Sequence, residues 1–327
     1  SLSAGAETLA GLLETERVVG EPDLALTDDE EDLTEAAGTA APRGDAGDLP
    51  SPMANLPKGA QFGSLVHGVL ETVNTRAEDL SEEIGRRIDE QLRHWPQDLD
   101  PEELRAAIEA VLRTPLAPAL PATLSELDPA EQVAELEFEL PLDGGHRAAP
   151  SDALVTLRDL APLLRRHLRP ADPMFRYARV VDSRAYELQS LRGYLTGSID
   201  LVFRHEERFY VADYKTNWLG PTDIPLTTAA YDRAGVNAAM ETSSYPLQAL
   251  LYTVALHRYL RWRVPGYDPG EHIGGVLYLY VRGMAGPETP VIDGDAAGVY
   301  FWAPPPGLVT ELSDLLDGAA PREGQGR

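Results

Sequence analysis

Gly197-Ser-Ile-Asp-Leu-Val-Phe-Arg204, then His205-Glu-Glu207, then Arg208-Phe-Tyr-Val-Ala-Asp-Tyr-Lys215 is the stretch that decides how this chain folds. Two runs rich in Ile, Val, Phe and Tyr flank a short polar segment, the pattern of a β-hairpin. With the turn centred on Glu206–Glu207, Asp200 on the first strand faces Asp213 on the second, and directly opposed residues have Cβ atoms roughly 5 Å apart. Lys215, two residues beyond Asp213, is expected on the same side of the sheet. The spacing therefore predicts two carboxylates and one ammonium on one patch, among Ile199, Leu201, Val211 and Ala212. Close carboxylates repel, and a divalent cation relieves that repulsion. Geometry alone leaves a second reading open, in which Lys215 neutralises the acid pair as an ordinary ion-pair cluster.

On the N-terminal side, Leu65, Val66, Val69 and Leu70 form one apolar stripe, so a helix is expected from near Gly63. A polar helix follows over 78–94, and Asp100-Pro-Glu-Glu103 opens another, with proline in its first turn. Residues 114–130 read as a Pro-rich connection, Val133–Leu140 as an alternating strand, and 156–168 as a helix with a basic end. Beyond the hairpin, Pro246–Arg261 is helical, Gly275–Val281 a buried strand, Gly298–Ala303 a last strand and 306–317 a closing helix. This order predicts an α/β fold, one mixed central β-sheet flanked by helices.

Composition narrows the chemistry. The 327 residues contain no cysteine, which removes disulfides, thiolate nucleophiles and iron–sulfur clusters. A metal would be held by Asp, Glu, His or backbone oxygen, favouring Mg²⁺ or Mn²⁺. No apolar run reaches the length of a membrane helix, no secretory leader is visible, and a cytoplasmic location is expected. The formal net charge is −25, unlike a free-standing nucleic-acid binder. Part of this is local: residues 1–57 hold thirteen acids against Arg17 and Arg43, a net of −11. That segment reads as an acidic, disordered tether, and 58–327 as the folded domain. Its composition suggests a piece of a longer polypeptide. Only Lys58 and Lys215 occur among 28 basic residues, so each lysine invites a chemical reason. No Gly-x-x-x-x-Gly-Lys-[Ser/Thr] loop occurs, so no ATP motor is expected in this segment.

Gly197-x-x-Asp200, Asp213-Tyr-Lys215 and Gln248-x-x-x-Tyr252, in this order, resemble the PD-(D/E)-x-K nuclease superfamily in its RecB-type branch. His67 in Gly63-Ser-Leu-Val-His67 is similar to that branch's early helix motif, and Glu135 to its first-strand acid. The resemblance covers roughly residues 58–317 and implies a restriction-endonuclease-like core and metal-dependent exodeoxyribonuclease activity. It implies His67, Asp200, Asp213 and the Tyr214 carbonyl as ligands of Mg²⁺, with Mn²⁺ possible because imidazole is an unusual Mg²⁺ ligand. It implies Lys215 as the group that orients the attacking water, and Gln248 and Tyr252 as support for the site or contacts to the DNA backbone. It further implies DNA as substrate, an upstream helicase in the same polypeptide, RecC and RecD subunits as partners, and double-strand-break repair as the setting. Asp213 stands where the superfamily more often has Glu, a departure this branch shares. A catalytically silent docking module and an AddA-type nuclease end are the alternatives.

Several residues have plainer readings. Glu71, one turn after His67, is expected to hold the imidazole tautomer. Trp218, Tyr278 and Tyr280 read first as core aromatics and second as a base-stacking set. The Arg-rich stretch 163–169 either binds phosphate or ends a helix favourably.

Overall fold

The computed structural model describes residues 48–142, 155–183, 191 and 194–318. Three helices come first: α1 (Ala60–Thr72), α2 (Leu80–Leu92) and α3 (Pro101–Arg113). The Asp79 carboxylate caps α2 by accepting from Glu82 N, and Asp100 caps α3 by accepting from Glu102 N with Pro101 in the first turn. These caps satisfy amide hydrogens that have no partner within the helix. Then follow β1 (Gln132–Pro141), α4 (Leu160–His167), α5 (Tyr177–Val181), β2 (Tyr194–His205) and β3 (Arg208–Lys215). After them come α6 (Arg233–Glu241), α7 (Tyr245–Arg263), α8 (Pro269–His272) and β4 (Ile273–Tyr280). The chain closes with β5 (Val291–Ile292), β6 (Asp295–Ala296), β7 (Val299–Trp302) and α9 (Pro306–Leu316).

The central sheet has the order β1-β2-β3-β4-β7 and is mixed, as expected. β3 and β4 run parallel while the other neighbours are antiparallel. A parallel pair needs a long crossover, which α6 and α7 supply. Every residue of α7 from Tyr245 to His257 is buried, the mark of a helix enclosed on all sides. Two apolar layers result. Val211, Val276 and Tyr278 face α7, α4 and α9, whereas Ala212, Tyr214, Leu277 and Leu279 face α1, α2 and α3.

The domain begins earlier than the sequence suggests. Met53 is fully buried and Leu56 nearly so, packed with Phe62 and Leu65 of α1. Pro50 bridges Thr227, and Ser51 N donates to Leu226 O at 2.9 Å. The packed part therefore includes Leu49–Pro57 rather than starting at Lys58, because two apolar side chains outweigh the acidic average around them. The acidic run Thr27–Asp32 lies outside the described residues.

Candidate active site

The β2–β3 ladder runs from His205↔Arg208 to Leu201↔Ala212, the register that a turn at Glu206–Glu207 demands. Past Ala212 the strands part. The Tyr214 amide donates to Asp200 Oδ2 at 2.8 Å instead of to a β2 carbonyl. β2 also changes face here: Ile199 packs in the α7 layer and Leu201 in the α1–α3 layer, where regular alternation would keep them together. Glu135 of β1 sits between the pairs Ala134↔Leu201 and Leu136↔Ile199, opposite Asp200, with a left-handed φ of 49°.

At this irregularity the three groups approach from different sides, and the Lys215 charge still acts on Asp200. Asp213 and Lys215 follow Val211 toward α7, with Lys215 Nζ 2.9 Å from Asp213 Oδ2 and 4.1 Å from the centre of the Tyr245 ring. Both side chains are only 3% exposed, so the pair is enclosed. Asp200 turns to α1, where its Oδ2 lies 3.4 Å from His67 Nδ1. Burial raises the Asp200 carboxyl, but His67, Lys215 and the Tyr214 amide outweigh it and hold the group below its ordinary range. The Tyr214 ring meets His67 edge-on at 5.9 Å, and its hydroxyl is pushed far up by burial and the surrounding acids.

Glu71 joins this group, although the sequence offered it only as a partner for the imidazole. Ligand atoms of His67, Glu71 and Asp200 all lie within 4.8 Å of one another. The i, i+4 spacing of His67 and Glu71 on α1 is the signal that could have found it. Burial, helped by Asp200 and Glu135 and opposed by His67, pushes the Glu71 carboxyl up to about 7. One imidazole and two carboxylates under mutual repulsion suit a divalent cation that accepts nitrogen and oxygen donors. The Asp213 carboxylate is held in its pair with Lys215. A small cavity lined by Glu71, Gln132, Ala134, Asp200 and Tyr214 opens beside it.

The sequence matches the PD-(D/E)XK nuclease superfamily over residues 45–297. The chain belongs to this superfamily. It is 48% identical over 318 residues to the RecBCD enzyme subunit RecB of Mycolicibacterium smegmatis, covering 95% of this chain and 29% of that protein. The RecB subunit of Mycobacterium tuberculosis H37Rv is 48% identical over 292 residues, covering 88% of this chain and 26% of that protein. That of Escherichia coli K12 is 34% identical over 263 residues, covering 80% and 20%. The chain thus spans less than a third of the length of these relatives.

Asp200 and Asp213-Tyr-Lys215, the expected signature residues, sit at this break in the ladder, and the remaining expected residues take different places around them. Gln248 and Tyr252 are buried beneath the sheet: Gln248 Nε2 donates to Tyr252 OH at 2.9 Å, and Tyr252 OH donates to Ser198 O at 2.6 Å. Tyr278 OH lies 2.9 Å from Gln248 Oε1 and 3.0 Å from Tyr245 O, two acceptors for its single hydrogen. This network fixes β2 two residues before Asp200 and β4 beside Lys215, which fits support rather than contact with DNA. Tyr278 and Tyr280 are core residues, with no exposed surface. Arg165 and Arg166 pair with Asp182 and Glu311, favouring the helix-end reading over a phosphate site.

Proposed function

We propose that this chain is the metal-dependent DNA nuclease domain of a RecB-type helicase–nuclease, hydrolysing phosphodiester bonds as an exodeoxyribonuclease. The observation that carries this reading is the meeting of His67, Glu71 and Asp200 with the enclosed Asp213–Lys215 pair, across one break in the β2–β3 ladder. His67 and Asp200 would hold Mg²⁺ or Mn²⁺, with Glu71 beside them and Asp213 and the Tyr214 carbonyl as the further ligands that the family resemblance implies. The bound cation would lower the pKa of water and act as a Lewis acid toward the phosphoryl group. Lys215, steadied by Asp213 and the Tyr245 ring, holds a fixed positive charge close to where negative charge grows in the transition state. In an enclosed site such a charge is worth far more than in water. Gln248, Tyr252 and Tyr278 keep β2 and β4 in place while this happens.

Because the chain spans a fraction of its relatives, the helicase motor would lie elsewhere in the intact polypeptide. RecC and RecD subunits would complete the complex, with DNA break repair and recombination in the bacterial cytoplasm as its setting. No helix among the described residues is long and apolar enough to cross a membrane. The acidic charge of −25 fits a nuclease to which DNA is delivered by other parts of the assembly.

The test is degradation of labelled single-stranded DNA with Mg²⁺ or Mn²⁺. Activity is expected to vanish with chelator and to fall by at least about 100-fold in Asp213→Ala and in Lys215→Ala. Cleavage that persists in both variants would mean that the site is wrongly assigned. If the chain is silent alone, the same variants are compared in the reassembled complex, and unchanged cleavage there would sink the reading.

A further inference from the structure

Two of the chain's four methionines meet at a second cavity, away from the His67 cluster. Met174, in the short helical turn Pro173–Arg176, and Met240, near the end of α6, are both buried. With Tyr177 of α5, Pro246 of α7 and Tyr300 of β7 they line a space of about 110 Å³. Arg176 and Glu241 line it too and pair at 3.2 Å, with 73% and 39% of their side chains exposed, so this ion pair marks the rim. Tyr300 is the polar exception in the wall. It is 3% exposed, and its hydroxyl has no hydrogen-bond partner among the described residues. Its neighbour Tyr278, edge-on at 6.3 Å, has two acceptors within 3.0 Å of its hydroxyl. Burial first, then Asp172 with Glu241 against an opposing Arg233, pushes the Tyr300 hydroxyl well above its ordinary range, so it keeps its hydrogen. Glu241 lines the cavity and Asp172 directly precedes the turn that does, so the hydroxyl end of the ring is the end turned to it.

We propose that this cavity binds an uncharged aromatic group of phenol size, with its ring against Met174 and Met240 and its polar atom on the Tyr300 hydroxyl. Three observations carry the ligand class. The volume is of the order that takes one ring, since an apolar cavity of about 150 Å³ admits benzene. Methionine thioethers are adaptable and attract aromatic rings, and two of them face this space. A buried hydroxyl left without a partner is costly, and a single polar group in an apolar wall is the usual device for fixing a ligand's orientation. An anion would meet the Asp172 and Glu241 charges, so the group is uncharged. The same chemistry comes from a free phenolic molecule or from a tyrosine side chain on another polypeptide. The inference stands apart from the nuclease reading, because no residue of the His67, Asp200 or Lys215 group enters it.

The experiment follows the methionine methyl signals of the ¹³C-methyl-labelled chain by NMR during titration with p-cresol, toluene and N-acetyltyrosinamide. Met174→Leu and Met240→Leu assign the two reporters, and Met53 and Met284, in the opposite core layer, serve as controls. p-Cresol is expected to shift Met174 and Met240 saturably, with a Kd of about 1 mM or tighter, and to leave the controls in place. Toluene, the same shape without the hydroxyl, should bind about fivefold more weakly, the worth of one hydrogen bond. In Tyr300→Phe the two probes should bind alike, and the variant should unfold at or above the wild-type temperature because no partner is abandoned. Binding of N-acetyltyrosinamide as well as p-cresol assigns the cavity to a tyrosine side chain, and binding of p-cresol alone to a free molecule. Met174 and Met240 signals that stay fixed up to the solubility limit of p-cresol would overturn the site. Toluene binding as tightly as p-cresol, or a lowered midpoint in Tyr300→Phe, would overturn the part given to the hydroxyl.

Discussion

Glu71 shows at the residue scale what the acid cluster costs. Its carboxyl is pushed up to about 7 from an ordinary 4.5, so the folded state favours the protonated form. The favourable contribution is present in full below pH 4.5, falls as pH rises toward 7, and is level above that. In chelator, wild type is expected to lose on the order of 2 kcal/mol across that window relative to Glu71→Gln, measured by urea denaturation. Parallel curves for the two proteins would contradict the burial and repulsion described here. A divalent cation should oppose the trend, because it binds the carboxylate. Lys215 makes the complementary case. Its ammonium fits between Asp213 and the rings of Tyr245 and Tyr278, 4.1 and 5.7 Å away, with 3% exposure. The planar Arg fork does not fit that space, so Lys215→Arg should be about as inactive as Lys215→Ala in DNA degradation. Recovery of substantial cleavage by Arg would show that only charge is needed.

At the scale of elements, α7 and β4 work as braces. Tyr252→Phe removes the hydroxyl that joins Gln248 to the Ser198 carbonyl. A loss of about 1–3 kcal/mol in denaturant unfolding is expected, because buried partners are left unsatisfied. Cleavage should fall with it, since Ser198 lies two residues from Asp200. Unchanged stability would mean that the network is replaced by water. Arg282 is a stronger brace: fully buried, it donates to the carbonyls of Thr216, Met53 and Pro57, so Arg282→Met abandons several carbonyls at once and should destabilise the chain by at least about 3 kcal/mol. The elements themselves were largely legible, since α1, α2, α3, α7 and the five central strands carry clear periodicity, caps or β-branched runs. The helix α6 and the small β5–β6 pair were not, because Arg233–Glu241 mixes glycine, asparagine and alanine without a clean stripe, and two-residue strands leave no pattern.

For the whole molecule, the N-terminal boundary is the sharpest test. A chain beginning at residue 58 loses Met53 and Leu56, whose burial is worth roughly 2 kcal/mol each, and leaves Arg282 only its Thr216 carbonyl among the partners named above. Against a total stability of about 5–15 kcal/mol, it should be markedly less stable than a chain beginning at residue 48, as thermal unfolding would reveal. Equal midpoints would return the boundary to Lys58. The acidic average of residues 1–57 conceals this, since composition describes a segment's mean and burial selects single side chains. The sequence by itself determined the hairpin, its register from His205 to Leu201 and the mixed sheet, because a two-residue turn and alternating side chains are local rules, and it singled out Asp200, Asp213 and Lys215 by spacing and His67 by resemblance as candidates. The tertiary structure alone decided how those groups are shared out. The loss of alternation at Asp200 turns one carboxylate toward His67 of α1, still within reach of the Lys215 charge, while the other, Asp213, pairs with Lys215 beside α7. The tertiary structure also brings in Glu71 and sets Lys58 on Trp218, because both depend on how helices dock against the sheet, and docking is a contest among distant side chains that no local pattern records.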